Sequence, residues 1–218
     1  MSEAKWNDVL ADAGRLQTQA PDAVLVGGTA ASAHAGERSS FDDDHVLSDI
    51  RQRFHDVLAQ FEQEESRSTS LDGVETGIRQ LVRRQPLEVE EIDGPSGPIR
   101  VPTLPEMLRV KAWLVLRRNA TRDYLDVVAL ADRLGGDRAA AVALELDDYY
   151  ADQVGEGGSR IATQLARQLA EPAPYDLSEV DLRSYRSLDP RWQEWAAVRE
   201  ACASLAAAML TLRSQGRP

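Results

Sequence analysis

The sequence has little cysteine and little positive charge relative to its negative charge. A single cysteine, Cys202, excludes an internal disulfide, and its Ala-rich surroundings favour a buried small side chain over a reactive thiol. With 25 Lys and Arg against 36 Asp and Glu, the net charge is -11. Nonspecific wrapping of nucleic acid is therefore excluded, because such binding derives its affinity from neutralised phosphates. Any nucleic-acid contact must be local.

The sequence also predicts neither a membrane span nor a targeting signal. A membrane span needs roughly 18 apolar residues, a signal peptide needs a charged and then an apolar region, and we expect neither here. The 43% of hydrophobic and 28% of charged residues are close to the averages of folded, water-soluble domains. We therefore expect a cytoplasmic protein with no membrane partner.

The order of predicted elements indicates an α+β protein with an α/β lobe over residues 1–102 and a helical lobe over 103–218. Apolar spacing, turn residues and a capping box at Thr103 define the elements. Helices are predicted over 5–19, 29–35, 48–64, 103–134 with a break near 119–121, 137–151, 158–170 and 189–213, and strands over 23–26, within 38–47, over 76–83 and over 87–92.

Two aspartates, Asp42 and Asp44, lie two residues apart in the second predicted strand. Side chains at this spacing point to one face, so both carboxylates would project together while Asp43 points away. Two such carboxylates repel each other unless a cation lies between them, and Mg²⁺ suits the pair because it takes oxygen ligands and completes its shell with substrate phosphates. The pair predicts a site for Mg²⁺, with Mn²⁺ as the alternative metal. A solvated acidic loop is the alternative interpretation.

A Gly27-Gly28 turn precedes the aspartates, between an apolar strand and a short helix. Backbone N–H groups can approach phosphate oxygens there because no Cβ lies in the way. Gly-Gly also occurs in plain turns, but its spacing from the aspartates favours a nucleotide site. If the strand includes them, Arg38 and Ser40 share the face of the aspartates and could bind a triphosphate.

A second set of charged residues lies on the long helix predicted after Thr103. If that helix is continuous, four charged residues form one stripe and a fifth lies beside it. The stripe contains Lys111, Arg118, Arg122 and Asp126, and the fifth residue is Asp123. Such a stripe is commonly a solvated face supported by i, i+4 pairs. Lys111, however, lies in an apolar stretch, where its ammonium needs a partner such as a bound triphosphate.

Together these motifs resemble the AbiEii/AbiGii nucleotidyltransferase family, the MenT-like toxins of bacterial toxin–antitoxin pairs. The resemblance covers roughly residues 22–134. It is found at Gly27-Gly28-Thr29, Arg38-x-Ser40-x-Asp42-x-Asp44, Lys111 and Arg122-Asp123-Tyr124-x-Asp126. It implies a polymerase-beta-like N-terminal lobe with a mixed sheet, followed by an all-helical lobe that completes the active-site cleft.

The resemblance also implies roles for individual residues. The catalytic residues would be Asp42, Asp44, Lys111, Asp123 and Asp126, and the first two would bind the metal. The nucleotide-binding residues would be Gly27, Gly28, Thr29, Arg38, Ser40 and Arg122. A third carboxylate could be Glu88 or Glu90, although their alternation equally fits an ordinary half-exposed strand.

The implied function is a Mg²⁺-dependent transfer of a nucleotide from an NTP to an acceptor, with release of pyrophosphate. Characterised members of the family modify the acceptor end of tRNA, so tRNA is the expected acceptor and a cognate antitoxin the expected protein partner. Two alternatives stay open. One is a small-molecule nucleotidyltransferase of the antibiotic-modifying type, because an acidic protein suits a cationic acceptor, and the other is a noncatalytic interaction protein that keeps the fold.

Overall fold

The computed structural model describes residues 3–36, 43–47, 76–80, 83, 85–154, 158–185 and 187–216. The chain divides into two compact units. Unit 1 comprises Met1–Ala30, Ser40–Val82 and Pro86–Pro102, and unit 2 comprises Ala31–Ser39, Arg83–Gln85 and Thr103–Pro218. The helix predicted over 48–64 lies outside the described residues.

Helix α1 (Glu3–Gln19) opens the chain, and the turn after it leads into the first strand. Its apolar residues Val9, Leu10, Ala13 and Leu16 are buried at helical spacing, so one face of α1 contributes to the core of unit 1. The side chain of Gln17 is fixed against the backbone of Arg100, because its amide donates to the carbonyl at 2.9 Å and its oxygen accepts from the N–H at 2.7 Å. The predicted opening helix is confirmed.

A three-stranded sheet follows in unit 1. Strand β1 (Val24–Leu25) pairs antiparallel with β2 (Asp43–Leu47), and β2 pairs parallel with β3 (Thr76–Gln80), so the sheet is mixed. The register places Val24 opposite Val46 and Asp44 opposite Gly77. Helix α2 (Gly27–Ala35) begins directly after β1 and contains small residues, so its backbone can lie close to its neighbours.

A hairpin completes unit 1, and its second strand was missed by the sequence analysis. Strand β4 (Val89–Gly94) pairs antiparallel with β5 (Gly97–Pro102). The glycines and prolines of 94–98 mark a turn. The prediction therefore ended the strand before them and placed no second strand after them. Burial of Ile99 and Val101 from β5 in the core explains why this proline-containing stretch is a strand.

Unit 2 is helical in its described part, and its first two helices have well-defined ends. Helix α3 (Leu104–Arg118) is capped by Thr103, whose hydroxyl accepts from the N–H of Glu106 at 3.3 Å, as predicted. The chain breaks at Asn119, which has a left-handed φ of 51°, before α4 (Thr121–Leu134) begins. The break near 119–121 and the end at Leu134 agree with the prediction.

The remaining helices of unit 2 are α5 (Gly136–Leu144), α6 (Leu146–Tyr149), α7 (Ile161–Ala170) and α8 (Trp195–Ser214), with 3-10 turns at Ala151–Gln153, Leu182–Ser184 and Pro190–Trp192. Helix α8 packs against α5 and α7. It buries Val198, Cys202, Leu205 and Met209 at helical spacing. Burial raises the pKa of the Cys202 thiol to about 12, so this cysteine is a core residue, as the sequence analysis expected.

Helix α8 corrects one expectation about membrane spans. By length and composition alone it is long and apolar enough to cross a membrane, whereas the sequence analysis expected no such stretch. The expectation was wrong because the alanines and leucines of α8 give it a high mean hydropathy although it contains Arg199 and Glu200. The core helix of a folded domain passes the same test when it is mostly buried, whereas only 28% of the apolar window of α8 is buried, along the row that faces its neighbours in unit 2.

A buried ionic network lies at the start of α3. Glu106 is fully buried and accepts hydrogen bonds from two guanidiniums, those of Arg83 and Arg109. Arg109 also pairs with Glu145, whose side chain is 45% exposed, and its guanidinium stacks 4.0 Å from the ring of Tyr149. Glu106 thus contacts both buried cations, which makes it the central charge of the network.

We predict that Glu106→Gln destabilises unit 2 far more than Glu145→Gln. Glu106→Gln removes the carboxylate that both buried guanidiniums contact, which costs about 3–5 kcal/mol even though Arg109 keeps its pair with Glu145. The half-exposed pair of Glu145 contributes at most about 1 kcal/mol. Urea denaturation of both variants and the wild type measures the difference. Equal losses of unfolding free energy in the two variants would contradict the prediction.

Candidate functional site

The side chain of Asp44 lies directly against the turn between β1 and α2. A Cβ built on Gly27 would stand 3.0 Å from Asp44 Oδ2 and 3.1 Å from its Cβ, and Gly27 adopts a left-handed φ of 73°. The backbone N–H of Val26 also donates to the carbonyl of Asp44 at 2.7 Å. Only glycine fits at position 27, so the sequence places a carboxylate and a bare backbone side by side.

Helix α2 begins at Gly27, the residue that lies beside this carboxylate. Gly28 and Thr29 follow Gly27 at the start of the helix, and both are buried. A helix N-terminus has a positive partial charge, which stabilises carboxylate and phosphate groups alike. The predicted nucleotide-binding residues Gly27, Gly28 and Thr29 are therefore brought together with Asp44 in unit 1.

Three predicted site residues, Arg38, Ser40 and Asp42, lie outside the described residues. His45, the neighbour of Asp44 on β2, is fully buried. Glu88 and Glu90, the alternatives for a third carboxylate, are exposed on the surface of unit 1. Asp44 is thus the member of the predicted metal pair whose surroundings can be described.

The charged residues of α3 and α4 form a buried cluster in unit 2. Lys111 is 3% exposed and Asp126 is fully buried, and Lys111 Nζ lies 2.6 Å from Asp126 Oδ2. The two residues meet because α3 packs against α4, not because they share one continuous helix as the stripe assumed. The ammonium that was expected to need a partner has a carboxylate from its own chain.

Asp123 completes this cluster and is energetically the most costly member of it. It is 1% exposed, and neither carboxylate oxygen accepts a hydrogen bond from a described residue. Burial raises the pKa of Asp123, the Lys111 ammonium opposes that rise, and the Asp126 carboxylate adds to it. A buried carboxylate that accepts no hydrogen bond destabilises a fold, and carboxylates of this kind concentrate at functional sites.

The other two cations of the predicted stripe line a cavity, and their charges oppose the rise in the pKa of Asp123. Arg118 and Arg122 flank the break at Asn119 and are exposed. The cavity measures about 510 Å³, and its lining consists of Arg118, Ala120, Arg122, Tyr175, Asp176 and Tyr185. Sequence reasoning missed the last three residues, because they lie between the helices predicted over 158–170 and 189–213, where no element was predicted.

Comparison with solved structures identifies the fold. The chain matches an antigenic nucleotidyltransferase-like protein from Paracoccidioides brasiliensis with a TM-score of 0.54 and 16% identity, over 82% of this chain and 93% of that one. It also matches JHP933 from Helicobacter pylori with a TM-score of 0.57 and 17% identity, over 99% of this chain and 96% of that one. At such identities the likeness concerns the fold alone, and the chain has a nucleotidyltransferase-like fold.

Sequence comparison gives partial matches of another kind. No protein-family model matches the chain. Over 129 residues, or 59% of the chain, it is 39% identical to the heme uptake protein MmpL11 of Mycobacterium tuberculosis, and over 130 residues it is 35% identical to the mycolic acid-containing lipids exporter MmpL11 of Mycolicibacterium smegmatis. The match spans 13% of the length of each of these proteins, and the chain thus corresponds to a small part of each.

We predict that Gly27→Ala disrupts the site more than Gly36→Ala does. Both glycines have a left-handed φ, 73° and 67°, so each alanine costs about 1–2 kcal/mol of backbone strain. Only at position 27 does the added Cβ meet the side chain of Asp44, whereas no described atom lies within 4 Å at position 36. Urea denaturation should therefore show a larger loss of unfolding free energy for Gly27→Ala. Equal losses would show that Asp44 moves aside freely.

Proposed function

We propose that the chain is a Mg²⁺-dependent nucleotidyltransferase that transfers a nucleotide from an NTP to an acceptor and releases pyrophosphate. The observation on which this depends is the contact between the carboxylate of Asp44 and the Gly27 turn, at the start of α2. It is supported by the nucleotidyltransferase-like fold. Membership of the AbiEii/AbiGii family belongs to the same proposal and depends on the motifs alone.

The residues around Asp44 fit a metal ion that is bound together with phosphate. Carboxylate oxygen is the ligand that Mg²⁺ prefers, and a Cβ at position 27 would fill the space beside it. Asp44 and Asp42 would hold the ion, which when bound would neutralise part of the charge of the triphosphate. The backbone at Gly28 and Thr29, with Arg38 and Ser40, would orient the phosphates.

The buried cluster in unit 2 has a place in the same proposal. The resemblance assigns Lys111 and Asp126 to the active site, and the buried ammonium lies 2.6 Å from Asp126 Oδ2. Asp123 is proposed to accept the proton of the attacking hydroxyl, because a carboxylate with a raised pKa is a stronger base. The proton moves to a carboxylate oxygen as the hydroxyl oxygen bonds to the α-phosphorus and pyrophosphate leaves.

The resemblance favours the acceptor end of tRNA and a cognate antitoxin. Transfer of label from α-labelled NTPs separates the candidates. Label on tRNA supports this acceptor, label on an aminoglycoside supports a small-molecule enzyme, and no transfer to either supports an interaction protein that keeps the fold.

We predict that the double substitution Asp42→Ala/Asp44→Ala abolishes Mg²⁺-dependent NTP binding. The change removes both proposed ligands of the ion, so the phosphates lose their metal bridge. Isothermal titration calorimetry with each NTP, with and without Mg²⁺, measures the effect. Asp43→Ala is the matched control and should bind as the wild type does. Unchanged binding by a double variant that circular dichroism shows to be folded would refute the proposed metal site.

We predict that Asp123→Asn stabilises the protein at neutral pH and slows transfer. The pKa of Asp123 is raised above 3.8 in the folded state, so its ionisation opposes folding, and the wild type loses stability as the pH rises through that pKa. The variant should therefore gain stability relative to the wild type toward pH 8 and lose this gain below about pH 3.8, where both side chains are neutral. Loss of a general base should slow transfer by about 10² to 10⁴.

Urea denaturation across pH and single-turnover transfer assays provide the two measurements for Asp123. The matched control is Asp152→Asn, which changes an exposed carboxylate of unit 2 and should alter neither quantity. A purely structural Asp123 would give the same gain in stability but unchanged transfer. That result would remove Asp123 from the proposed chemistry.

A further inference from the structure

The cavity beside the break between α3 and α4 has features of a ligand site. Its volume of about 510 Å³ falls within the range of roughly 300–1,000 Å³ that small-molecule and cofactor sites occupy. The lining residues all belong to unit 2, which contains the whole of Thr103–Pro218. We call it the Arg-Tyr cavity after four of its lining residues, Arg118, Arg122, Tyr175 and Tyr185.

One wall of the Arg-Tyr cavity is tied firmly to the helices. The N–H of Tyr175 donates to the carbonyl of Asn119 at 3.0 Å, and the side-chain amide of Asn119 donates to the carbonyl of Ala173 at 2.8 Å. Asp176 Oδ1 accepts from both the N–H and the hydroxyl of Thr121, at 2.8 and 2.7 Å. Four hydrogen bonds therefore hold the wall in place, which lowers the entropic cost of binding.

The cations of the cavity are available for a ligand. Arg118 and Arg122 are exposed, and neither forms an ion pair with a carboxylate among the described residues. Asp176, the acidic residue in the lining, has one oxygen engaged by Thr121. Two guanidiniums converging on one cavity suit a phosphate, and they are notable in a chain whose net charge is -11.

Tyr175 supplies the aromatic surface of the cavity. The residue is 70% exposed although its backbone N–H donates to the carbonyl of Asn119, so a fixed main chain presents the ring to solvent. Bases of single strands stack on such rings whatever their sequence, and the neighbouring cations follow the backbone. A phosphate site next to an exposed aromatic ring is the combination that binds single-stranded nucleic acid.

We propose that the Arg-Tyr cavity binds the end of a single-stranded nucleic acid, with a phosphate on Arg118 and Arg122 and a base stacked on Tyr175. This assigns Arg122 to the acceptor instead of the NTP. It rests on the proposed function for the role of the bound strand, which is that of acceptor.

Binding of a fluorescein-labelled single-stranded RNA hexamer, followed by fluorescence anisotropy at several salt concentrations, tests the proposal. Tyr175→Ala should weaken binding by at least about fivefold, the lower end of the effect of losing one stacked base, with an unchanged salt dependence. Arg118→Gln and Arg122→Gln should each reduce the slope of log K against log salt by about 0.7, because each removes one phosphate contact.

Two matched controls accompany these variants. Tyr175→Phe keeps the ring and should bind the hexamer as the wild type does. Arg138→Gln removes an exposed arginine elsewhere in unit 2 and should leave both the affinity and the salt slope unchanged. All substituted side chains are exposed, so the variants should melt near the wild-type temperature.

Three results would overturn the proposal. The first is a wild type that does not bind the hexamer at millimolar protein, and the second is an affinity that is equal in Tyr175→Ala and in the wild type. The third is competition by free AMP as effective as that by unlabelled hexamer, which would make the cavity a mononucleotide site. NTP binding measured separately on the Asp42→Ala/Asp44→Ala variant keeps the two proposals distinguishable, because hexamer binding does not require the metal site.

Discussion

The burial of charge along α3 is the constraint on which unit 2 depends. Glu106 contacts two guanidiniums at one end of the helix, and Lys111 pairs with Asp126 from α4 one and a half turns further on. Taking such charges out of water costs several kcal/mol each, so these pairs stabilise the fold only while every partner is in place. The helices around α3 are therefore specified by ionic geometry as well as by apolar packing.

Much of the fold follows from local signals in the sequence. Thr103 begins α3, Asn119 breaks it and Gly135 ends α4, because hydroxyl caps and left-handed or glycine positions act within one turn of the chain. Strand β5 was missed since the same turn residues that end a strand also allow pairing to resume after them. The spacing of apolar residues and the turn residues thus locate helices and strands along the chain, but they do not show which strands pair or which helices pack together.

The candidate site was predictable to the extent that its parts are local. The Gly27 turn and Asp44 are seventeen positions apart and were linked by a known type of motif, and the structure places them in contact. The partner of Lys111 depends on how α3 packs against α4, which a projection onto one continuous helix could not show. Tyr175 lies more than fifty positions from Arg118 and Arg122, and no periodic pattern relates them.

The left-handed residue Asn119 has a consequence for motion. Its backbone ends α3, its side chain bonds Ala173, and its amide oxygen accepts from Tyr124 of α4 and from Gln168 of α7. The segment near Tyr175 is exposed, but it is tied through Asn119 to α3, α4 and α7. It therefore detaches only when its contacts with these three helices break. Local unfolding at this corner should be a cooperative event with the free energy of the helical core, and not the independent fluctuation of a surface loop.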